Sequence, residues 1–317
     1  MEEIQRSSSL IFLKCGLIFI KYINNILEQH DEKLRFNLIE DKKIFEYFNF
    51  LKKEYLKKGG AKQFFEAYAN EGIFGFNENK SYFSKKKSIL EIGCGGGLLS
   101  SYLYNVGYDI TAVDSHNRGF GNLFELAKTV QEVNKNFKII NSDLENFRPD
   151  RKFDFIFAVN VLEHVYDFRV FIKKLMKLIN PYGKIVIMCP NYSFPYEGHF
   201  NIPIIINKNL TYRIFCKHIK NKKKHIYWDP IECWNSLNWV NARDLKKIIQ
   251  KNNYNYSFDK MITKRLVDRA SYDHSFQKRR GNLGSIIKLI KYFKIHHLFT
   301  IFPISFHPYL KLTLYKN

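Results

Sequence analysis

Between residues 88 and 190, short apolar runs alternate with amphipathic stretches in regular order. SILEI (88–92), DITAVD (109–114), FKIINSD (137–143), FDFIFAVNVL (153–162) and KIVIMCP (184–190) have strand length and are rich in β-branched and aromatic residues. The stretches 98–106, 120–134 and 167–179 place apolar residues three and four apart, the helical period. Strands joined through helices run parallel, so the alternation predicts a Rossmann-like, doubly wound α/β sheet. Two later runs, YNYSFDKMITKRL (254–266) and YLKLTLYKN (309–317), are expected as the last strands of a seven-stranded sheet.

The flanks read differently. Residues 10–84 carry helical spacing, giving a helical N-terminal extension over 1–84, a core over 85–190, and a C-terminal part over 191–317. In that last part 191–238 and 266–306 are expected as a cap inserted around the final strands. The apolar run SLIFLKCGLIFI (9–20) is interrupted by Lys14, lacks a cleavage signal, and is too short to span a bilayer. It is expected as a helix packed on the main domain or lying in a membrane interface.

Five scattered cysteines with no CxxC pair point to a reducing compartment without zinc or disulfides. The net charge of +21 is uneven: residues 201–317 hold 23 Lys+Arg against 6 Asp+Glu. A basic C-terminal part on a nearly neutral remainder suggests an anionic partner: lipid, phosphorylated glycan-lipid or nucleic acid.

In SILEIGCGGGLL four glycines fall within residues 93–97, directly after a strand ending Glu91-Ile92. A strand, a glycine turn and a helix bring bare backbone close to a ligand. The dinucleotide fingerprint needs Gly-x-Gly-x-x-Gly, and its third glycine is Leu98 here. The stretch instead fits Glu-x-Gly-x-Gly-x-Gly through Glu91, Gly93, Gly95 and Gly97. In this it resembles the class I S-adenosylmethionine-dependent methyltransferases over about residues 85–190, nearest in flavour to ubiquinone-biosynthesis O-methyltransferases and to methyltransferases of sugars and lipid-linked intermediates. The resemblance implies S-adenosylmethionine as cofactor. It implies Glu91 supporting the loop and the cofactor's amino-acid end, Asp114 on the ribose hydroxyls and Asp143 on the adenine amine. It implies further cofactor contacts from Gly93, Cys94, Gly95 and Gly97 of the loop, from Ser115 and Leu144, and from Asn160, which would face the methyl-transfer centre. Some relatives carry an acid at the position of Asn160 and bind a divalent metal, so the asparagine counts against one and no metal is expected.

For a hydroxyl acceptor the protein must align the nucleophile and help remove its proton. His164, after the fourth strand, is one candidate; Glu197 and His199, in PNYSFPYEGHF after the fifth, form an acid-oriented pair. The residues NVLE after the fourth strand argue against base N-methylation. These features lead to O-methylation of a small glycan, lipid-linked or quinone-like acceptor, in the cytoplasm, with a peripheral position at the inner membrane face. An RNA methyltransferase using the basic cap, a non-catalytic module and a nicotinamide-dependent dehydrogenase rank below it.

Overall fold

The computed structural model describes residues 42–115, 121–222, 229–270, 273, 276 and 283–316. The chain divides into two compact units, Met1–Glu46 and Tyr47–Asn317. Only residues 42–46 of the first are described, as the start of a helix, so the segment 9–20 lies outside the described residues.

Two helices, α1 (Lys42–Lys57) and α2 (Lys62–Asn79), precede the sheet. Then come β1 (Ser88–Ile92), α3 (Leu98–Asn105), β2 (Asp109–Asp114), α4 (Gly121–Val133), β3 (Ile139–Asn141), β4 (Phe153–Val159), α5 (Phe168–Leu178) and β5 (Ile179–Pro190). A short hairpin follows, β6 (Tyr196–Glu197) with β7 (Ile202–Pro203). The remainder is α6 (Lys208–Asn221), α7 (Pro230–Ser236), α8 (Ala242–Lys251), β8 (Asn255–Phe258), α9 (Ile262–Arg269), α10 (Leu283–Tyr292) and β9 (Tyr309–Tyr315).

The main sheet has seven strands in the order β3-β2-β1-β4-β5-β9-β8. The first five are parallel; β9 runs antiparallel between β5 and β8. The expected doubly wound sheet is therefore present, completed by the two C-terminal strands. Strand order reverses between β1 and β4, the place where folds of this kind open a crevice for a ligand. The central strands are buried on both faces. Leu90, Ile156, Ile185 and Ile187 pack against Phe171, Ile172 and Leu175 of α5 and Leu245 and Ile249 of α8.

One expected strand is corrected. YNYSFDKMITKRL is a strand only over Asn255–Phe258; α9 begins at Ile262. Asp259 turns the chain by accepting from the Met261 N–H at 2.8 Å. Beyond it Ile262, Leu266 and Arg269 repeat at the helical period, which overrides the β-branched start of the segment. Polar side chains cap several other helix starts. Asp167 accepts from Arg169 N, Asp229 from Ile231 N and Glu232 N, and Asn241 from Arg243 N and Asp244 N. Asn191, directly after β5, ties that strand end to the C-terminal region. Its amide donates to the His307 carbonyl at 2.7 Å, and its Oδ1 accepts from the Ala242 N–H.

Candidate active site

The crevice opens into a cavity of about 720 Å³ at the carboxyl ends of β1, β2 and β4. Of the residues singled out from the sequence, Glu91, Gly93, Cys94, Gly95, Asp114, Ser115, Asp143, Leu144, Asn160, His164 and His199 line it. Gly97 and Glu197 do not: Gly97 packs toward Ile139, and Glu197 is fully buried behind His199.

The glycine loop is bound from below. Gly93 N and Cys94 N donate to the Val113 carbonyl of β2, and Gly95 N donates to Asp114 Oδ2 at 2.7 Å. From above, Tyr68 of α2 donates its hydroxyl to the Cys94 carbonyl at 2.8 Å and accepts from the Gly96 N–H at 3.1 Å. A Cβ on Gly95, whose φ is +53°, would lie 2.2 Å from the Tyr68 hydroxyl; one on Gly93 would lie 2.2 Å from Val161 Cγ2. The glycines thus let the protein close on its own loop, as well as letting a ligand approach. Tyr68 was not among the residues read from the sequence; its only signal there is a polar tip on an otherwise apolar helix face.

Glu91 is buried beneath the loop and accepts from the Ser100 hydroxyl of α3. Burial raises its pKa to about 7, with the Ser100 hydrogen bond opposing and the Asp114 charge adding to the rise. Asp114 accepts from Gly95 N, so a ribose bound there shares an oxygen with the loop; a carboxylate has lone pairs for both. Asp143 caps a turn, its oxygens accepting from Asn146 N and Asn146 Nδ2. Burial pushes the Cys94 thiol well above its usual range, which leaves it a packing residue.

Asn160 sits at the end of β4 with φ +55°, a left-handed conformation that asparagine tolerates better than most residues. Its Oδ1 accepts from the hydroxyl of Tyr309, at the start of β9, at 2.7 Å. The C-terminal strand thereby fixes the side chain expected at the reaction centre, a contact across 149 residues that no local pattern announces.

Beside Asn160 the two candidate histidines meet, their rings edge to face with centroids 5.2 Å apart. His164 Nδ1 lies 2.8 Å from Ser236 Oγ, which itself donates to the Cys233 carbonyl. His164 is therefore the donor in that pair, which puts its lone pair on Nε2. His199 Nδ1 lies 2.7 Å from Glu197 Oε1. Glu197 also accepts from the His199 and Phe200 N–H groups. Burial would raise the pKa of Glu197, but the His199 charge and these hydrogen bonds outweigh it and hold the carboxyl below its ordinary value. When His199 is neutral, an ionised Glu197 makes its Nδ1 the donor and leaves the lone pair on Nε2. The β6–β7 hairpin carries this pair, and Phe200 roots it in a small apolar core with Ile219, Cys233, Trp234 and Leu237.

Glu163 completes the cluster. Among the described residues neither of its carboxylate oxygens has a hydrogen-bond partner, and it is fully buried. Burial raises its pKa to about 7, against the opposing His199 charge. Donor atoms of Glu163, His164 and His199 all lie within 4.8 Å of one another. The set fits a divalent cation: one orphaned carboxylate and two imidazoles, each with its second nitrogen tied to a hydrogen-bond partner. Asn160, which counted against a metal in the sequence, is not part of it.

A parallel sheet with β9 antiparallel, a glycine loop after β1 and acids after β2 and β3 define a class I S-adenosylmethionine-dependent methyltransferase. Residues 65–257 match the family described as "Methyltransferase domain", and the chain belongs to it. An uncharacterized protein of Mycobacterium tuberculosis strain H37Rv is 32% identical over 237 residues, 73% of this chain and 79% of that protein. A ubiquinone biosynthesis O-methyltransferase of Rickettsia akari is 32% identical over 106 residues, 33% of this chain and 41% of its own. Among solved structures, coclaurine N-methyltransferase bound to N-methylheliamine and SAH superposes with a TM-score of 0.46 at 14% identity, covering 78% of this chain and 71% of that one.

Glu91 gives a pH test of the cofactor end of the site. If its carboxylate receives the ammonium of S-adenosylmethionine, only the ionised form binds well. With a pKa of about 7 in the free protein, affinity is expected to rise with pH and level off above 7. Below that point it should fall roughly tenfold per pH unit. Calorimetric titrations between pH 5.5 and 7.5 check this, and Glu91→Gln is expected to flatten the profile. A wild-type profile already flat over that range would remove Glu91 from the ammonium.

Proposed function

We propose that the protein transfers a methyl group from S-adenosylmethionine to a hydroxyl of a small acceptor with a sizeable apolar portion, lipid-linked or quinone-like. The observation that carries this reading is the continuity of the cavity. It runs from the glycine loop past His164 and His199 into a chamber lined by Leu266, Val267, Phe276, Ile287, Ile290 and Phe299. Such a lining favours a lipid-linked or quinone-like acceptor over a free glycan. The similarity of the core to relatives named ubiquinone biosynthesis O-methyltransferases supports oxygen as the methylated atom.

When bound, S-adenosylmethionine supplies a methyl group on a sulfonium, which needs no further activation. The glycine loop, Glu91, Asp114 and Asp143 would hold it, with Asn160 and Tyr309 walling the reaction centre. The remaining work is deprotonation of the acceptor. His199 Nε2 takes the hydroxyl proton, and Glu197, ionised and hydrogen-bonded to Nδ1, orients the ring and stabilises the imidazolium. A second arrangement is favoured by the orphaned oxygens of Glu163: Glu163, His164 and His199 would hold a divalent cation, which supplies Lewis-acid polarisation of the same hydroxyl.

The test is incubation of the protein with methyl-labelled S-adenosylmethionine and bacterial lipid extract, aqueous small-molecule extract or RNA. The expected result is label in the organic phase, resistant to mild alkali as an ether is and an ester is not. Label confined to RNA, or to the aqueous extract, would overturn the acceptor class.

A further inference from the structure

Residues 287–306 form one wall of the acceptor chamber, and they are apolar on both sides. On the inner side Ile287, Ile290 and Phe299 face the cavity. On the outer side Leu289, Tyr292, Phe293, Ile295, Leu298, Ile301, Phe302 and Phe306 are exposed, Phe293 by 62% and Ile301 by 71%. The wall is joined to α9 by polar contacts at its buried points. His296 lies 3.6 Å from Asp268, and His307 is hydrogen-bonded to Thr263 at 2.9 Å. Its outward apolar residues take no part in these polar contacts.

A run of outward aromatic and aliphatic side chains this dense is unusual on a surface that meets only water. Charge indicates what covers it. Lys288 and Lys294 are exposed among these side chains, and no Asp or Glu follows Asp273 in the sequence. Interleaved aromatics, aliphatics and lysines without acids match the boundary between acyl chains and anionic headgroups. Among the described residues no helix is long and apolar enough to cross a membrane, so contact through this segment is contact in the interface plane.

We propose that the outer face of residues 289–306 docks on an anionic lipid bilayer, and that the acceptor enters the chamber from the lipid past this wall. The docking stands on the surface alone; the entry route rests on the lipid-linked or quinone-like reading above. A wall with one side in the bilayer and the other in the chamber lets an apolar tail move between them without crossing water.

Flotation of the full chain with phosphatidylcholine vesicles, with and without phosphatidylglycerol, tests the proposal. Wild type is expected to float with the anionic vesicles and to lose much of that binding at high salt. The double variant Phe293→Asp/Ile301→Asp is expected to lower the bound fraction roughly tenfold or more. Lys288→Glu/Lys294→Glu should lower binding to anionic vesicles alone, by about fivefold for each lysine held near the surface. The single variant Ile301→Ser keeps the test open if the double variant fails to fold.

S-adenosylmethionine titration of each protein is the parallel control and should be unchanged. Protein that binds the cofactor but floats with neither vesicle overturns the docking and leaves the methyltransferase chemistry standing. Protein that floats without binding the cofactor does the reverse. Wild-type flotation by the variants would place the membrane contact in another segment, and capture of an RNA oligonucleotide without flotation would assign the basic surface to nucleic acid; either overturns the proposal.

Discussion

Gly95→Val is expected to remove measurable binding of S-adenosylmethionine, a loss of about 100-fold or more. Two penalties add at this position. The backbone φ of +53° suits glycine, and a β-branched residue held there costs roughly 1–2 kcal/mol. The new Cβ would also meet the Tyr68 hydroxyl at 2.2 Å. Tyr68 cannot swing aside cheaply. Its ring is stacked on Phe64, and its hydroxyl is engaged by the Cys94 carbonyl and the Gly96 N–H. Overpacking of this kind costs about 1–3 kcal/mol. The loop can relieve both penalties only by leaving the position in which Asp114 and Val113 hold it, which is the position that lines the cofactor pocket. Tyr68→Phe is the milder companion. It keeps the ring and removes both hydrogen bonds of the hydroxyl, so a loss of up to about 30-fold is expected, the value of two ordinary hydrogen bonds at roughly 1 kcal/mol each. Calorimetry measures both, with a thermal melt confirming that each variant is folded. Unchanged affinity in Gly95→Val would place the cofactor away from this loop.

The sheet was legible in the sequence because both of its periodicities are local. Each strand from β1 to β5 contains a short apolar run, and each helix between them repeats at three and four. The glycine loop and the acids after β2 and β3 were legible for a related reason: in a parallel sheet, residues that end strands converge on one edge. What local pattern could not give are contacts made by distant segments. Tyr68 reaches the loop from α2, and Tyr309 reaches Asn160 from the last strand, which runs antiparallel between β5 and β8. His164 and His199 were each visible as candidates, but nothing in their spacing says that a hairpin folds the second against the first. The isolation of Glu163 is invisible for the opposite reason. It is defined by partners that are missing, and only the packed structure shows that both oxygens lack a hydrogen bond. The start of α9 reads as a strand because Ile262 and Thr263 are β-branched, while its helical period emerges only when Leu266 and Arg269 are counted with Ile262.

His199→Ala is expected to lower methyl transfer to the acceptor by about 10²–10⁴-fold, the usual contribution of a positioned general base. Cofactor affinity should stay within about twofold, because His199 lies on the acceptor side of the cavity and the loop contacts are untouched. The companion variants decide how the histidine acts. If it works as a base oriented by Glu197, then Glu197→Gln should cost most of the same rate. That change weakens the acceptor for Nδ1–H and removes the charge that stabilises the imidazolium. His164→Ala should then cost much less, and a chelator should have no effect. If a divalent cation carries the chemistry, His164→Ala and Glu163→Gln should each match His199→Ala, and the chelator should reproduce all three. Glu163 supplies a further readout that needs no acceptor. Its carboxyl titrates near 7 in the folded chain and near 4.5 when unfolded, so the folded state holds the proton more tightly. Stability from this group is present at low pH and is lost as pH rises from about 4.5 through 7. A neutral Gln at 163 avoids that loss, so Glu163→Gln should gain stability over wild type above pH 7 in the absence of metal. Saturating divalent cation should reverse the order if the cluster binds one, because only the wild-type carboxylate is then compensated. Full turnover by His199→Ala would make the hairpin a wall of the acceptor site and move the search for the proton acceptor to His164.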